Sequence, residues 1–234
     1  MISTNHNEIC WVVLGAGKSL LAFILSIQRL ETASFIACNR AIELFRADYW
    51  IWVDRMHFER SQFHSNARKA IWVGPVEEDG RKEDTRRVNY QISRTFPCEE
   101  SHLFLGGGTL TVATHFALRK GASRIVFVGC DAWSPGRDRY HVWDGRPLDE
   151  QGQVVHREHL ARTAEGVRVL ADAHPHVEFF DATTSARHLG FPFIKFESLL
   201  PRHSRKGEKP CPRKRHAKSS RINRCPLDTA DSSQ

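Results

Sequence analysis

The sequence lacks the marks of several protein classes. Its six cysteines (Cys10, Cys38, Cys98, Cys130, Cys211 and Cys225) form no CxxC pair and show no zinc-ligand spacing. Cys10, Cys38 and Cys130 lie in apolar runs, where cysteine usually serves as a small buried hydrophobe, which fits a reducing cytoplasm. No apolar stretch reaches the length of a membrane span. The opening residues, MISTNHNEIC, have no basic segment leading into an apolar one, so no secretory signal is expected. There is no internal repeat. Among the thirteen histidines only His156 and His159 stand three apart on one expected helix face, and no third metal ligand is evident.

What is present suits a folded enzyme-sized globule. The 234 residues, 41% of them apolar and six of them tryptophan, allow one α/β domain with a sizeable core, or two very small ones. Charge is placed unevenly. Ten Lys/Arg against three Asp/Glu between Arg202 and Gln234 account for the whole net charge of +7, so residues 1–201 are neutral. The division expected is a domain at 1–201 and a basic tail at 202–234. Pro210, Pro212 and Pro226, several serines and few aliphatics make the tail a disordered, solvated segment in expectation. Such a segment can also bind nucleic acid, in weak, salt-sensitive contacts, or an anionic membrane surface.

Short apolar runs alternate with helical patterns. Ile9–Leu14, Ser34–Asn39, Tyr49–Asp54, Lys69–Gly74, His102–Leu105, Arg124–Asp131 and Val177–Thr183 read as strands. Ser19–Leu30, a short segment from Ala41, Thr109–Lys120 and residues 156–172 read as helices, with Gly121 closing the third. Residues 75–100, which contain EEDGRKEDTRR, read as a long exposed excursion. Continuously apolar strands separated by helices predict a mainly parallel sheet covered on both faces, a Rossmann-like three-layer α/β sandwich. Ligands then bind beyond the carboxyl ends of the strands, where the turns starting at Gly15, Asn39, Asp54, Gly106 and Asp131 fall.

The first turn, GAGKS, carries half of each of two phosphate signatures. A P-loop needs a glycine at position 12, which is Val12. A dinucleotide fingerprint needs a third glycine where Leu20 stands, and an acid at the end of the second strand where Asn39 stands. What remains is general: Gly15 and Gly17 allow a tight bend, and Lys18 and Ser19 stand at a helix start, which favours an anion. LGGGTLT repeats the arrangement with Gly107, Gly108 and Thr109, which can bind an oxyanion or simply cap the helix. Asn39 can read a base or ribose edge, or serve as a turn residue. Asp54 and Asp131 can each hold Mg²⁺ with phosphate oxygens, accept from a sugar hydroxyl, or cap a helix. The loop SPGRDRYHVWDG adds Arg139 for phosphate, Tyr140 for stacking, and His141 as a general acid or base or a plain surface histidine.

The order of these pieces resembles two related groups. VVLGAGKSL resembles the GxGPSL turn of bacterial sialyltransferases that use a CMP-sugar. It also resembles that turn in the uncharacterised, often phage or prophage encoded, proteins similar to archaeal hydroxymethylpterin pyrophosphokinase. FIACNRAIELF is similar to the sialyltransferase segment with a CN pair after the second strand. RADYWIWVD and GGGTLTVATHFALRKGASRIVFVGCDAW resemble the pyrophosphokinase-like third strand and the shared glycine–helix–strand–GxD block. DATTSARHLGFPFIKFESLL is similar to the ending of phage members. The likeness covers most of residues 9–200. It implies nucleotide contacts at Gly15, Gly17, Ser19 and Asn39, phosphates near Gly107–Thr109, and a site completed by Asp131, Tyr140 and His141. Lys18 replaces the usual proline and adds a charge.

Two enzymatic readings follow. One is glycosyl transfer from a nucleotide-activated sugar to an unknown acceptor, with His141 as base, Tyr140 or Arg139 at the departing phosphate, and no cofactor. The other is an ATP-dependent, pyrophosphokinase-like transfer in which Mg²⁺ is held by Asp54 or Asp131. A third is a nucleotide-binding module without catalysis. The first is preferred, because Asn39 is not acidic.

Overall fold

The computed structural model describes residues 10–27, 33–75, 87–131, 150–183, 189–195 and 198. Its strands are β1 (Cys10–Leu14), β2 (Ser34–Cys38), β3 (Tyr49–Ile51), β4 (Ile71–Pro75), β5 (Arg87–Ser93), β6 (His102–Phe104), β7 (Arg124–Val128) and β8 (Glu178–Asp181). All pair in parallel, in the order β6-β5-β4-β3-β2-β1-β7-β8. The chain therefore winds outward from β1 to β6 and returns to the other side of β1 as β7. The point where winding reverses lies between β1 and β7, and in open parallel sheets a crevice opens there beyond the strand ends.

Side chains alternate along each strand and so build two cores. Trp11, Val13, Ile125 and Phe127 face α4 (Thr109–Arg119) and α5 (Glu150–Ala173). Val12, Leu14, Val126 and Val128 face the layer formed by α1 (Ser19–Ile27), α2 (Ala41–Leu44) and α3 (Arg55–Ser61). The three-layer arrangement expected from the sequence is the observed one. Trp50, Trp52, Phe58 and Trp72 cluster in the second core, with ring centroids 4.7 Å apart for Trp50–Trp52 and 4.8 Å for Trp52–Phe58. Such pairs each add about 0.5–1.5 kcal/mol beyond area burial. They hold α3, and with it the Asp54 turn, against the sheet.

Three expectations need correction. The 75–100 segment is not wholly an exposed excursion: Arg87–Ser93 is β5, paired on both sides, with Tyr90 buried and donating its hydroxyl to the Trp52 carbonyl at 3.0 Å. The charged run beside it masked a strand whose other face is polar, with Asn89 and Gln91 exposed, and whose Val88, on the Tyr90 face, also stays exposed. The third strand stops at Ile51, so Asp54 lies in the turn at the start of α3. The last helix spans 24 residues, well beyond 156–172. Residues 202–234 lie outside the described residues, and no described helix is long and apolar enough to cross a membrane.

Helix α4 lies between the sheet and α5, so nine of its eleven residues are buried. One is His115. The Phe104 N–H donates to its Nδ1 at 2.9 Å, and the Arg119 Nε–H points at its Nε2 from 3.1 Å. A protonated ring would set its own N–H groups against both donors. Burial, then the Arg119 charge, push its pKa down to about 4 from the usual 6.5. Between these values the unfolded chain binds a proton that the folded chain refuses, so stability falls as pH drops from 6.5 toward 4. The loss should reach roughly 2 kcal/mol, and urea unfolding at pH 7 and pH 4.5 measures it. His115→Gln, which keeps an acceptor for Phe104, should flatten the pH dependence; an unchanged slope would assign it to other groups.

Candidate functional site

The β1 and β7 strand ends are built into one another. The amides of Gly15 and Gly17 donate to the carbonyls of Val128 and Gly129, each at 2.8 Å. A Cβ at Gly15 would lie 2.4 Å from the Gly129 oxygen, and one at Gly17 would lie 2.2 Å from Asp131 Oδ2. The two glycines are thus required by the approach of β7. Asp131 is buried, and its Oδ2 accepts the Ser19 N–H at 2.7 Å. A carboxylate therefore already occupies the anion position at the α1 N-terminus, where charge and helix dipole favour it. Among the described residues, Ser19 Oγ is buried without a hydrogen-bond partner, and Lys18 is half-buried without an ion pair.

A second junction stands across the crevice. Asn39, at the end of β2, takes a left-handed backbone (φ 50°), which asparagine tolerates better than most residues. Its carbonyl accepts from the Trp50 indole at 2.7 Å, which fixes the turn. Its Oδ1 accepts from the Thr109 hydroxyl at 3.1 Å, and its amide NH₂ has no partner among the described residues. Residues 70 positions apart are joined here, at the first turn of α4. Gly106 and Gly107 have positive φ, and a Cβ on either would run into the α5 backbone at Gly166 or at Arg162–Thr163. That glycine turn is shaped by the helix packed on it. Gly108 packs beside the Thr163 hydroxyl and the His159 ring.

Helix α5 rises beyond the strand ends: 24 residues at about 1.5 Å span about 36 Å, against about 17 Å for a five-residue strand. His159 sits on this overhang. Asp54 lies exposed at the end of the β3 turn, and its carboxylate makes no cap for α3. His57 follows it, with Nδ1 buried and without a partner among the described residues. Burial, then Arg162, hold the His159 pKa below the usual value, and Asp54 opposes them. Burial likewise lowers His57, against the pull of Asp54. Both imidazoles are therefore neutral near pH 7. Burial pushes the Cys38 thiol up to about 12 and raises Cys130 as well, so neither is a nucleophile.

The structure thus gathers Gly15, Gly17, Lys18, Ser19 and Asp131 at the β1/β7 ends, and Asn39, Gly108 and Thr109 at the α4 start. Asp54 falls beside His57 and His159. Arg139, Tyr140 and His141 lie outside the described residues. His57, Arg162 and the rim position of His159 escaped the sequence reading, which weighed His159 only as a zinc ligand. The available signal was the set His159, Thr163 and Gly166, spaced i, i+4, i+7 on one helix face whose small members mark a close approach. Among the described residues, no group of three or more His, Cys, Asp or Glu stands close enough to hold a metal ion.

The fold is similar to that of the MAf glycosyltransferase from Magnetospirillum magneticum AMB-1. The TM-score is 0.58 with 18% identity, over 85% of this chain and 35% of that one. The chain thus matches about a third of that protein's length, and at this identity the likeness speaks for the fold. No protein-family model and no curated protein matches the sequence.

The Asp131–Ser19 contact can be tested directly. Asp131→Asn should keep a weaker cap and cost about 1 kcal/mol, a fall of about 2–4 °C in Tm. Gly17→Ala, which forces apart Gly129 and Asp131, should cost about 2–3 kcal/mol. Thermal unfolding of both variants checks the order; equal losses would remove the steric argument.

Proposed function

We propose that the chain is a transferase that moves a glycosyl group from a nucleotide-activated sugar to an acceptor hydroxyl. The observation carrying this reading is the Asn39–Thr109 junction facing the β1/β7 reversal point: unspent polar groups gather at the place where open parallel sheets bind nucleotides. The likeness in fold to a glycosyltransferase supports it. The free amide of Asn39 would read the base or ribose. Lys18 and Ser19 Oγ would meet the phosphate, whose charge Lys18 offsets. Because Asp131 already caps α1, the phosphate would sit beside the cap rather than in place of it. Resemblance to CMP-sugar sialyltransferases makes a cytidine nucleotide the first donor to try.

In the reaction the acceptor oxygen attacks the anomeric carbon, the bond from that carbon to the phosphate oxygen breaks, and the acceptor proton passes to a base. His159, neutral and at the rim, is one such base, and His141 is the other. Tyr140 or Arg139 would support the departing phosphate. With His159 as base, the acidic limb of activity falls below the ordinary imidazole value of 6.5, because its folded pKa is depressed.

A second reading is favoured by the exposed, uncapped carboxylate of Asp54. In a pyrophosphokinase-like transfer it would hold Mg²⁺, which takes oxygen ligands and would complete its shell with ATP phosphate oxygens and water. Bound Mg²⁺ would offset charge on the transferred phosphates.

Thermal shift with CMP, UDP, GDP and ATP, each with and without Mg²⁺, separates the readings. A saturating nucleotide at about a hundredfold its Kd adds about 2.7 kcal/mol, readable as several degrees. Glycosyl transfer predicts a CMP or UDP shift that survives EDTA; an ATP shift lost in EDTA supports the second reading; no shift at all overturns both. The proposed nucleic-acid contact of the basic tail predicts salt-sensitive binding that disappears when residues 202–234 are deleted, by mobility shift at 50 and 200 mM salt.

A further inference from the structure

A cavity of about 570 Å³ opens beside the glycine turn, between the ends of β5 and β6 and the α5 stretch from His159 to Val169. Its floor is apolar, from Phe104 and Val169. Its polar groups are Arg94, just past β5, and Arg162, His159 and Glu165 on α5. The single acid among them is already engaged, since Glu165 accepts from Arg168 at 3.2 Å. Among the described residues, neither Arg94 nor Arg162 has an ion-pair partner. Two guanidiniums from different elements thus line one cavity, and an anion bound there would meet both charges. The fork of donors on each guanidinium matches a carboxylate or phosphate.

The cavity is a neighbour of the proposed donor site, separate from its reversal point. Gly107 lines it, and two residues later Thr109 bonds Asn39. His159 stands at the boundary, lining the cavity and touching the position of Gly108. We infer that this cavity receives the acceptor, and that the acceptor is a small sugar-like molecule bearing a carboxylate or phosphate that Arg94 and Arg162 clamp. The inference deepens the glycosyl-transfer reading and rests on it for the word acceptor. The apolar floor would take the sugar's less polar face, while the clamp would turn a hydroxyl toward His159.

The test is calorimetric titration of the full chain with glucuronate, glucose 6-phosphate and glucose, together with CMP and UDP, for the wild type and for Arg94→Ala/Arg162→Ala. Both arginines are exposed, so the double variant should fold, and its Tm confirms this. The inference expects one of the two anionic sugars to bind and glucose to bind at least about tenfold more weakly. It also expects the double variant to lose the anionic sugar at least about tenfold while keeping its nucleotide affinity. Arg94→Lys/Arg162→Lys should recover part of the binding, since charge survives but the fork does not. Glucuronate against glucose 6-phosphate tells carboxylate from phosphate. Nucleotide binding with no anionic-sugar binding overturns the inference and leaves the donor reading standing. Loss of nucleotide binding in the double variant overturns it too, by giving the cavity to the donor's phosphates. Arginine-dependent sugar binding without nucleotide binding keeps the anion site and removes the glycosyl-transfer reading.

Discussion

The close meeting of two backbones at the reversal point is the constraint from which the rest of the molecule follows. β1 and β7 are neighbours in space but far apart in sequence, and nothing local holds them in register. Beyond the last paired residues, Leu14 and Val128, the contact continues through Gly15, Gly17 and Gly129, whose missing side chains let amide and carbonyl meet at 2.8 Å. Asp131 then reaches over to the α1 N-terminus. One turn thus fixes the register of the central strand pair, the start of the first helix and the floor of the crevice. It also uses groups that a phosphate loop would leave free. The glycines here serve chain packing first, and the proposed ligand would be held by what stands around them: Lys18, Ser19 Oγ, Asn39 and Thr109.

The same economy appears on the other side of the crevice. The glycines at 106 and 107 let α5 lie directly on the turn before α4, with Gly166 in contact with Gly106. Thr163 adds a hydroxyl that donates to the His159 carbonyl at 2.9 Å and lies 3.2 Å from the Gly107 carbonyl. α4 is nearly all buried, so it has little freedom to shift, and α5 inherits its position. The rim residues on α5 are therefore placed by core packing, which is a rigid support for chemistry.

Much of the architecture was legible because fully buried strands advertise themselves. Trp11–Leu14, Ile36–Cys38 and Ile125–Val128 are apolar without a break, as two covered faces require. β5 was hidden for the opposite reason: RVNYQIS follows a charged run and buries only part of one face. The lengths of β3 and α5 were misjudged because apolar pattern continues past the last ladder bond in one case and fades at a polar overhang in the other. At the site, the turns were legible as glycine and small polar clusters after strands. Their division of labour was not. GAGKS reads the same whether its amides face a phosphate or a neighbouring strand, since both uses need glycine for close approach. Only the position of Gly129 and Asp131, over a hundred residues on, decides between them.

That ambiguity explains how two phosphate signatures came to be half present. Val12 and Leu20 stand where each signature would have glycine, and both are fully buried in the second core. A glycine at 12 would remove a core side chain from the central strand, and a glycine at 20 would remove the Leu20 side chain that packs so close to Gly129 that a Cβ there would lie 2.8 Å from the Leu20 Cβ. The sequence keeps the two glycines that the β1–β7 contact demands and fills the other two positions with packing. A chain selected for backbone closure at this turn would retain GxG and lose the rest. In the proposed function, recognition of a charged ligand would then fall to side chains on the surrounding elements, where Lys18, Asn39, Asp54, His159 and the two cavity arginines stand.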